Sequence, residues 1–159
     1  MTQKKSVVED VLIGDLQILH DLTLAWVETG WRHVESEPFN FKQRLHSFYD
    51  WTSLDTQYFD SFDVEQRINY SAHDYAAIWD QVIPKLKRLT NAISERPNII
   101  ISGDLAVMSV RFITSFESVD GVIDHADTLS SLVWRKSLGS WRIIREHGTG
   151  LAKPSLQQA

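Results

Sequence analysis

The chain has 159 residues, a net charge of −5 and no cysteine, with 43% hydrophobic and 23% charged residues. This composition is typical of one globular domain, and the missing thiols exclude disulfides, thiolate metal sites and a cysteine nucleophile. The net negative charge argues against a nucleic-acid partner, because phosphate backbones are bound by clustered Lys and Arg.

The sequence contains no run of about 18 uncharged residues, the length that a helix needs to span a bilayer. Near the N-terminus, Glu9 and Asp10 interrupt the apolar residues before they reach the length of a signal peptide. We therefore expect a cytoplasmic protein with no membrane partner.

The first predicted element is a long helix. Ser6-Val7-Val8-Glu9 has the form of a capping box, which satisfies free N–H groups at a helix start. Apolar residues then recur at helical intervals of three and four: Val8, Leu12, Leu16, Leu19, Leu22 and Trp26. The pattern predicts a helix from Ser6 to about Glu35.

Shorter elements follow the break at Pro38. The spacing predicts a helix over 40–49, and the aromatic cluster Tyr58-Phe59-Asp60 predicts a short strand. Ser71 is a predicted N-cap for a helix that Pro84 bends or ends. The apolar face of this helix comprises Tyr75, Ile78, Trp79 and Val82. The basic cluster Lys85, Lys87 and Arg88 is interpreted as a solvated helical face.

From Asn98 onward the apolar residues recur at every second position instead of about every 3.6 residues, which predicts strands. One alternating set should face the core: Ala106, Met108, Val110, Phe112, Thr114 and Phe116. Asp120-Gly121 predicts a hairpin turn, and Leu138-Gly139 predicts a second one between Thr128–Lys136 and Trp141–His147. Helices followed by long strands indicate an α+β fold, in which helices pack on one face of a mostly antiparallel sheet.

The last predicted hairpin carries a recognisable arrangement of residues. Trp134-Arg135 closes one strand, Leu138-Gly139 forms the turn, and Trp141-Arg142-Ile143 opens a strand that ends near His147. This hairpin resembles the terminal hairpin of the nuclear transport factor 2-like superfamily, and is most similar to its SnoaL-like, polyketide-cyclase-like branch. Tyr58–Asp60 and Ser102–Val107 add to the resemblance.

The resemblance covers roughly Ser6 to Gly150. It implies a single domain over 6–150 with tails at 1–5 and 151–159. It also implies a strongly curved sheet wrapped around the long N-terminal helix, a cone-shaped pocket for a small molecule, and a homodimer formed through the outer face of the sheet. The superfamily includes enzymes, transport adaptors and oligomerising domains, so the fold does not select one function.

Asp60 is the first candidate for a reactive group. It ends the strand beside Tyr58, Phe59 and Phe62, where burial would raise the pKa of its carboxyl and suit it to proton abstraction. Alternatively, Asp60 caps a turn by accepting backbone N–H groups.

By resemblance, Asp60 also falls near the general base of ketosteroid isomerases. Those enzymes add a Tyr and a protonated Asp. The predicted first helix has no Tyr, and the strand 128–134 offers Ser130, Ser131 and Leu132 where the second carboxyl is expected. We therefore do not expect steroid-type isomerisation.

Glu146 and His147 are further catalytic candidates at the end of the last strand. Strict alternation places Trp141, Ile143, Arg145 and His147 on one face and Arg142, Ile144 and Glu146 on the other. The alternation leaves open which face is inward. An inward His147 could act as acid or base, and a buried Glu146 could pair with Arg142. Alternatively, His147 is a hydrogen-bonded edge residue, and Glu146 and Arg142 form a surface pair.

Aromatic residues could line the pocket for a flat apolar ligand, with Thr114 as a hydroxyl contact. The candidates for ligand binding are Tyr49, Tyr58, Trp79, Phe112, Thr114, Trp134 and Arg142; the alternative is that the aromatic ones are simply core. The histidines show no metal-ligand spacing and the chain has no Gly-rich phosphate loop, so we expect neither a metal nor a cofactor.

The sequence is compatible with two functions. The chain is either a cofactor-independent lyase, isomerase or cyclase with Asp60 as base, or a ligand-binding or dimerisation module without catalysis. A cavity on which Asp60 and a second titratable group converge would favour the enzyme.

Overall fold

The computed structural model describes residues 3–151, with side chains for residues 13–151. The helices are α1 (Gln3–Leu24), α2 (Phe41–Leu45) and α3 (Ala72–Val82). The strands are β1 (His33–Val34), β2 (Gln57–Asp60), β3 (Leu86–Ile93), β4 (Asn98–Ser102), β5 (Leu105–Ser118), β6 (Ile123–Ser137) and β7 (Ser140–Leu151). A π-helix, Ala25–Gly30, extends α1, and a 3₁₀ turn, Ile83–Lys85, follows α3. The α+β class is confirmed.

The strands form one curled sheet in the order β1-β3-β5-β6-β7-β2. Strand β5 is long enough to pair with β4 along its first half and with β3 along its second half. All neighbours are antiparallel except β2, which runs parallel to β7 and places Asp60 beside Gly148. The helices lie on the inner face of the curl, where the core forms.

Helix α1 packs its predicted stripe inward, with Leu19 and Trp26 buried. The predicted end at Glu35 is wrong: the helical segment stops at Gly30, because His33–Val34 form a strand that pairs with β3. At the other end the backbone is already helical at Gln3, before Ser6. The side chains of the capping box, Val8 and Leu12 lie outside those that the structure describes.

The caps of the two shorter helices explain where they start. Asn40 accepts a hydrogen bond from the N–H of Gln43 at 2.9 Å, and the Ser71 hydroxyl accepts one from the N–H of Asp74 at 3.1 Å. Helix α3 ends at Val82, just before the turn that contains Pro84.

Strand β3 was not predicted, and the interpretation of Lys87 and Arg88 as a helical face is wrong. The pairing register shifts between Leu86 and Arg88. This β-bulge brings Leu86 and Leu89 to the same side of the strand although they are three residues apart, a spacing that imitates a helix. Lys87 instead pairs with Glu117 on β5 at 2.8 Å.

The long hairpins agree with the alternating pattern. In β5, Ala106, Met108, Val110, Phe112 and Thr114 are buried, as predicted, and Phe116 is half-buried. At the second turn, Leu138 and Gly139 both take positive φ, 50° and 78°, the backbone that a tight hairpin turn requires.

Helix α1 is tied to the far end of the sheet by one buried carboxylate. Asp15 accepts hydrogen bonds from Lys136 Nζ at 3.0 Å and from Trp141 Nε1 at 3.1 Å. Both partners belong to the β6–β7 hairpin, so the helix and the closing hairpin are fixed to each other.

Each helix of the described residues is too short or too polar to span a bilayer.

We expect Gly30→Ala to destabilise the protein by about 1–3 kcal/mol, because an added Cβ would overlap the Leu45 side chain in a packed core. Gly14→Ala is the matched control. Gly14 is exposed in α1 with nothing within 4 Å of an added Cβ, so alanine should stabilise there by up to about 1 kcal/mol. Urea unfolding measures both variants; equal stability of the two would contradict the packing at Gly30.

Candidate functional site

A cavity of about 240 Å³ lies between the helices and the inner face of the sheet. Its helical wall is apolar and consists of Trp26, Trp31, Trp79, Val82 and Ile83, continued by Leu86 and Leu89 of β3. The sheet wall is more polar and contains Asp60, Asn91, Thr114, Thr128, Ser130 and Glu146, with Phe62, Phe112 and Phe116. Among the described residues, no Lys, Arg or His side chain lines this cavity.

Glu146 reaches the cavity because β7 contains a bulge. Val133 pairs with Arg145, but the next residue, Trp134, pairs with Ile143, so Ile144 is the extra residue. The bulge resets the alternation, and Trp141, Ile143 and Glu146 are all buried while Arg145 is exposed. The strict alternation of the sequence analysis, which separated Glu146 from Trp141 and Ile143, is therefore wrong.

The Glu146 carboxyl is held by two tyrosines. The Tyr49 hydroxyl donates to Oε2 at 2.6 Å, the Tyr75 hydroxyl lies 3.0 Å from Oε1, and the Trp26 indole donates to the Tyr49 oxygen at 3.0 Å. Burial raises the pKa of Glu146 to about 8, and the nearby Asp60 charge acts in the same direction, against the two tyrosine hydrogen bonds. A pKa of about 8 favours the neutral carboxylic acid form of Glu146 at pH 7.

Asp60 lines the same cavity from the end of β2. Its Oδ1 accepts a hydrogen bond from the N–H of Phe62 at 2.8 Å, so the turn-capping role and the cavity position coexist. Burial raises the pKa of Asp60 to about 6; the Phe62 N–H lowers it and Asp63 raises it. The pKa of Asp60 therefore lies below that of Glu146, so Asp60 is the first of the two to ionise as the pH rises.

Gly148 provides the space for the Asp60 carboxyl. The two residues are partners in the parallel β2–β7 pairing. An added Cβ at Gly148 would overlap Asp60 Oδ2 and would lie 3.5 Å from the Ser130 hydroxyl. A glycine is thus required here by the close approach of a side chain, not by an unusual backbone angle.

The structure brings only some of the predicted residues to the cavity. Trp79, Phe112 and Thr114 line it, as Asp60 and Glu146 do. Tyr49, Tyr58 and Trp134 are buried behind it instead. The Tyr58 hydroxyl donates to the backbone oxygen of Ile143 at 3.0 Å, which is a structural role.

Arg142 and His147 lie away from the cavity. Arg142 donates to the backbone oxygen of Trp141 at 2.9 Å, and Glu146 takes tyrosine partners in place of the expected arginine. His147 is exposed on the outer face of the sheet, packed edge-to-face against Phe59 with ring centroids 4.9 Å apart. Neither side chain lines the cavity.

The sequence analysis missed Tyr75 as a site residue and assigned it to the apolar face of α3. A buried tyrosine usually needs a hydrogen-bond partner for its hydroxyl, and that need pointed to a polar group in the core. The ketosteroid isomerase arrangement places the second carboxyl on the strand segment 128–134 and a tyrosine on the first helix, where this chain has neither. The structure supplies Glu146 from β7 and tyrosine hydroxyls from α3 and the segment after α2.

We expect the protein to lose stability as the pH rises from about 4.5 to 8. In this range the unfolded chain releases the Glu146 proton, at its usual pKa of 4.5, while the folded protein keeps it up to a pKa of about 8. The free energy of unfolding should therefore fall by up to about 1.4 kcal/mol per pH unit from this group. Asp60 adds to the fall below pH 6.

Glu146→Gln provides the control, because the amide has no proton to release. Its unfolding free energy, measured by urea denaturation at pH 5, 6, 7 and 8, should change less with pH than that of the wild type. Parallel pH curves for the two proteins would show that Glu146 is ionised in the folded state.

At the level of sequence, no protein-family model matches the chain and no curated protein aligns with it. Solved structures do match its fold. A nuclear transport factor 2-like protein with a cystatin-like fold from Novosphingobium aromaticivorans gives a TM-score of 0.69 at 13% identity, over 96% of this chain and 92% of that one. A nuclear transport factor 2-like superfamily protein from Salmonella enterica serovar Typhimurium gives 0.64 at 18% identity, over 98% and 99%.

The association domain of the C. elegans calcium/calmodulin-dependent protein kinase II also matches, with a TM-score of 0.54 at 16% identity, over 93% of this chain and 98% of that one. Together these similarities show that the chain has the nuclear transport factor 2-like fold, and at such low identity they show the fold alone.

Proposed function

We propose that this chain, which has the nuclear transport factor 2-like fold, binds a small neutral carbonyl compound in its cavity and transfers a proton on it without a cofactor. The observation that supports the proposal is the meeting of Asp60 and Glu146 in one apolar cavity. Their pKa values of about 6 and about 8 make a base and an acid available together near neutral pH.

The proposed reaction starts at the carbon next to the carbonyl group. Asp60 removes a proton from this carbon, and the electron pair of the broken C–H bond moves to the carbonyl oxygen. Glu146 donates a hydrogen bond or its proton to that oxygen, which stabilises the enolate or enol. Return of the proton at another carbon gives an isomerase, and loss of a group from the neighbouring carbon gives a lyase.

The walls of the cavity favour a neutral ligand over an anion. A ligand carboxylate would lie in an apolar space beside Asp60, with no lining cation among the described residues to compensate its charge. An apolar cavity of about 150 Å³ accepts benzene, so 240 Å³ suits a molecule with one or two small rings. Flat rings also fit a wall that contains three tryptophans.

We expect the protein to catalyse exchange of the hydrogens next to the carbonyl of a bound aryl ketone in D₂O, measured by proton NMR. Asp60→Asn should lower the exchange rate by about 10²–10⁴-fold, because the base is lost. The ketone should also raise the unfolding temperature, whereas the carboxylic acid of the same size should not. Full exchange by Asp60→Asn would show that Asp60 is not the base.

Two further variants test the position of the base. Gly148→Ala displaces the Asp60 carboxyl without removing it and should lower exchange by about 10²-fold, since small misplacements of a catalytic group have effects of this size. His147→Gln changes the outer face only and should exchange at the wild-type rate. A large loss of exchange activity in His147→Gln would show that His147 takes part in the reaction.

The alternative function is an association module that dimerises through the outer face of the sheet. Ile100, Val107 and Val133 are register partners on three neighbouring strands and form an apolar row there. Ile100 and Val107 are 63% and 48% exposed. The fold similarity to a kinase association domain supports this reading. Trp141 and Ile143 of the same hairpin are buried inside and do not contribute to this face.

We expect a homodimer in sedimentation experiments, and Val107→Lys should convert it to a monomer by placing an unpaired charge in the contact. Leu54→Lys is the matched control, because Leu54 is fully exposed and lies between α2 and β2, away from this row. A wild-type protein that stays monomeric at high concentration would contradict the dimer. This interface and the cavity use opposite faces of the sheet, so the two functions are compatible.

A further inference from the structure

We infer that Asp60 and Ser130 together bind a hydroxyl group of the ligand, so that the carbonyl compound proposed above also carries a hydroxyl close to its carbonyl group. This inference rests on the proposed function, because it narrows the class of ligand for the same cavity. Ser130 is then a specificity-determining residue of the site.

Asp60, Gly148 and Ser130 form one row across three neighbouring strands of the sheet. Asp60 pairs in register with Gly148, and Gly148 pairs in register with Ser130. Register partners point to the same side of a sheet, and both Asp60 and Ser130 line the cavity. The middle residue of the row has no side chain, so the two outer side chains can approach each other across it.

The free oxygens of these two side chains lie close together. Asp60 Oδ2 and Ser130 Oγ are both within 3.5 Å of the point where a Cβ of residue 148 would stand. Asp60 Oδ1 already accepts the N–H of Phe62 at 2.8 Å, so Oδ2 is the free oxygen of this carboxyl. Neither Oδ2 nor Ser130 Oγ has a hydrogen-bond partner among the residues that the structure describes.

The burial of Ser130 makes its unpartnered hydroxyl informative. Ser130 is only 2% exposed, and buried hydroxyl groups nearly always have a hydrogen-bond partner. A single O–H group of a ligand satisfies both side chains, because it donates its hydrogen to Asp60 Oδ2 and accepts the hydrogen of the Ser130 hydroxyl. A carbonyl or ether oxygen has no hydrogen to give to Asp60. The pair therefore selects a hydroxyl.

The ligand hydroxyl and the ligand carbonyl are expected close to each other. Glu146, the proposed acid, is two residues before Gly148 on β7, and both are buried on the inner face. Two residues of a strand span about 6.5 Å, so the two ligand oxygens belong on carbons that are adjacent or separated by one. A hydrogen bond from this hydroxyl to Asp60 brings the neighbouring C–H bond to the base.

The test compares dissociation constants, measured by titration calorimetry on the full chain, for ring ketones that differ in one group. 2-Hydroxy-1-indanone or 3-hydroxy-1-indanone should bind about tenfold more tightly than 1-indanone and than its own methyl ether, because only the free hydroxyl pairs with both side chains. Ser130→Ala should reduce this preference to about threefold or less. Ser131→Ala is the matched control and should keep the preference, since Ser131 is the next residue of β6 but is exposed on the outer face.

The ratio of two dissociation constants separates the outcomes, because a general loss of stability weakens the binding of all these ketones alike. Equal binding of hydroxylated and plain indanones by the wild type would overturn the inference, while hydrogen exchange on 1-indanone would still support the proposed function. An unchanged preference in Ser130→Ala would overturn the role of Ser130. Binding of none of these ketones would overturn both proposals. The comparison of hydroxyl with methyl ether uses the wild type alone, so it remains decisive if Ser130→Ala does not fold.

Discussion

The parallel pairing of β2 with β7 holds two carboxyls in one apolar cavity. The pairing sets Asp60 beside Gly148, two residues from Glu146, and the missing side chain of Gly148 gives the Asp60 carboxyl its place. No lining cation among the described residues compensates the pair. In such surroundings each carboxyl resists ionisation, and the charge of one raises the pKa of the other. The raised pKa values of both carboxyls follow from this constraint.

The pKa of Glu146 is higher than that of Asp60 chiefly because Glu146 is more deeply buried, and the hydrogen-bond partners of the two carboxyls also differ. Glu146 lies deeper and contacts only neutral hydroxyls, whereas Asp60 ends an edge strand and accepts a backbone N–H from a turn. Uncompensated buried acids reduce the stability of a fold, and strongly perturbed pKa values are more frequent at functional sites than elsewhere. The aromatic core around Tyr49 and Tyr75 provides the rigid surroundings that hold the glutamate.

The sheet has an inner surface at the cavity and an outer surface, because neighbouring residues of a strand face opposite sides. In β5, Met108 and Val110 face the cavity side, while Val107 and Ser109 face outward. The bulge in β7 breaks this rule at one residue, and by doing so it sends Glu146 inward and His147 outward. A shift of one residue in this strand therefore decides which ionisable group lines the cavity.

The sequence by itself determined the fold class and most elements, because helix caps, apolar periods and hairpin turns are local signals. It also singled out Asp60, whose strand end lies among aromatics and whose side chain lines the cavity. It could not determine the face of Glu146, the existence of β3 or the partner of Tyr75. Each of these depends on a bulge or on a contact between residues distant in the chain, Tyr75 with Glu146 for example. Only the tertiary structure decides them, since a one-residue change in register is invisible in a local pattern but reverses every side chain that follows.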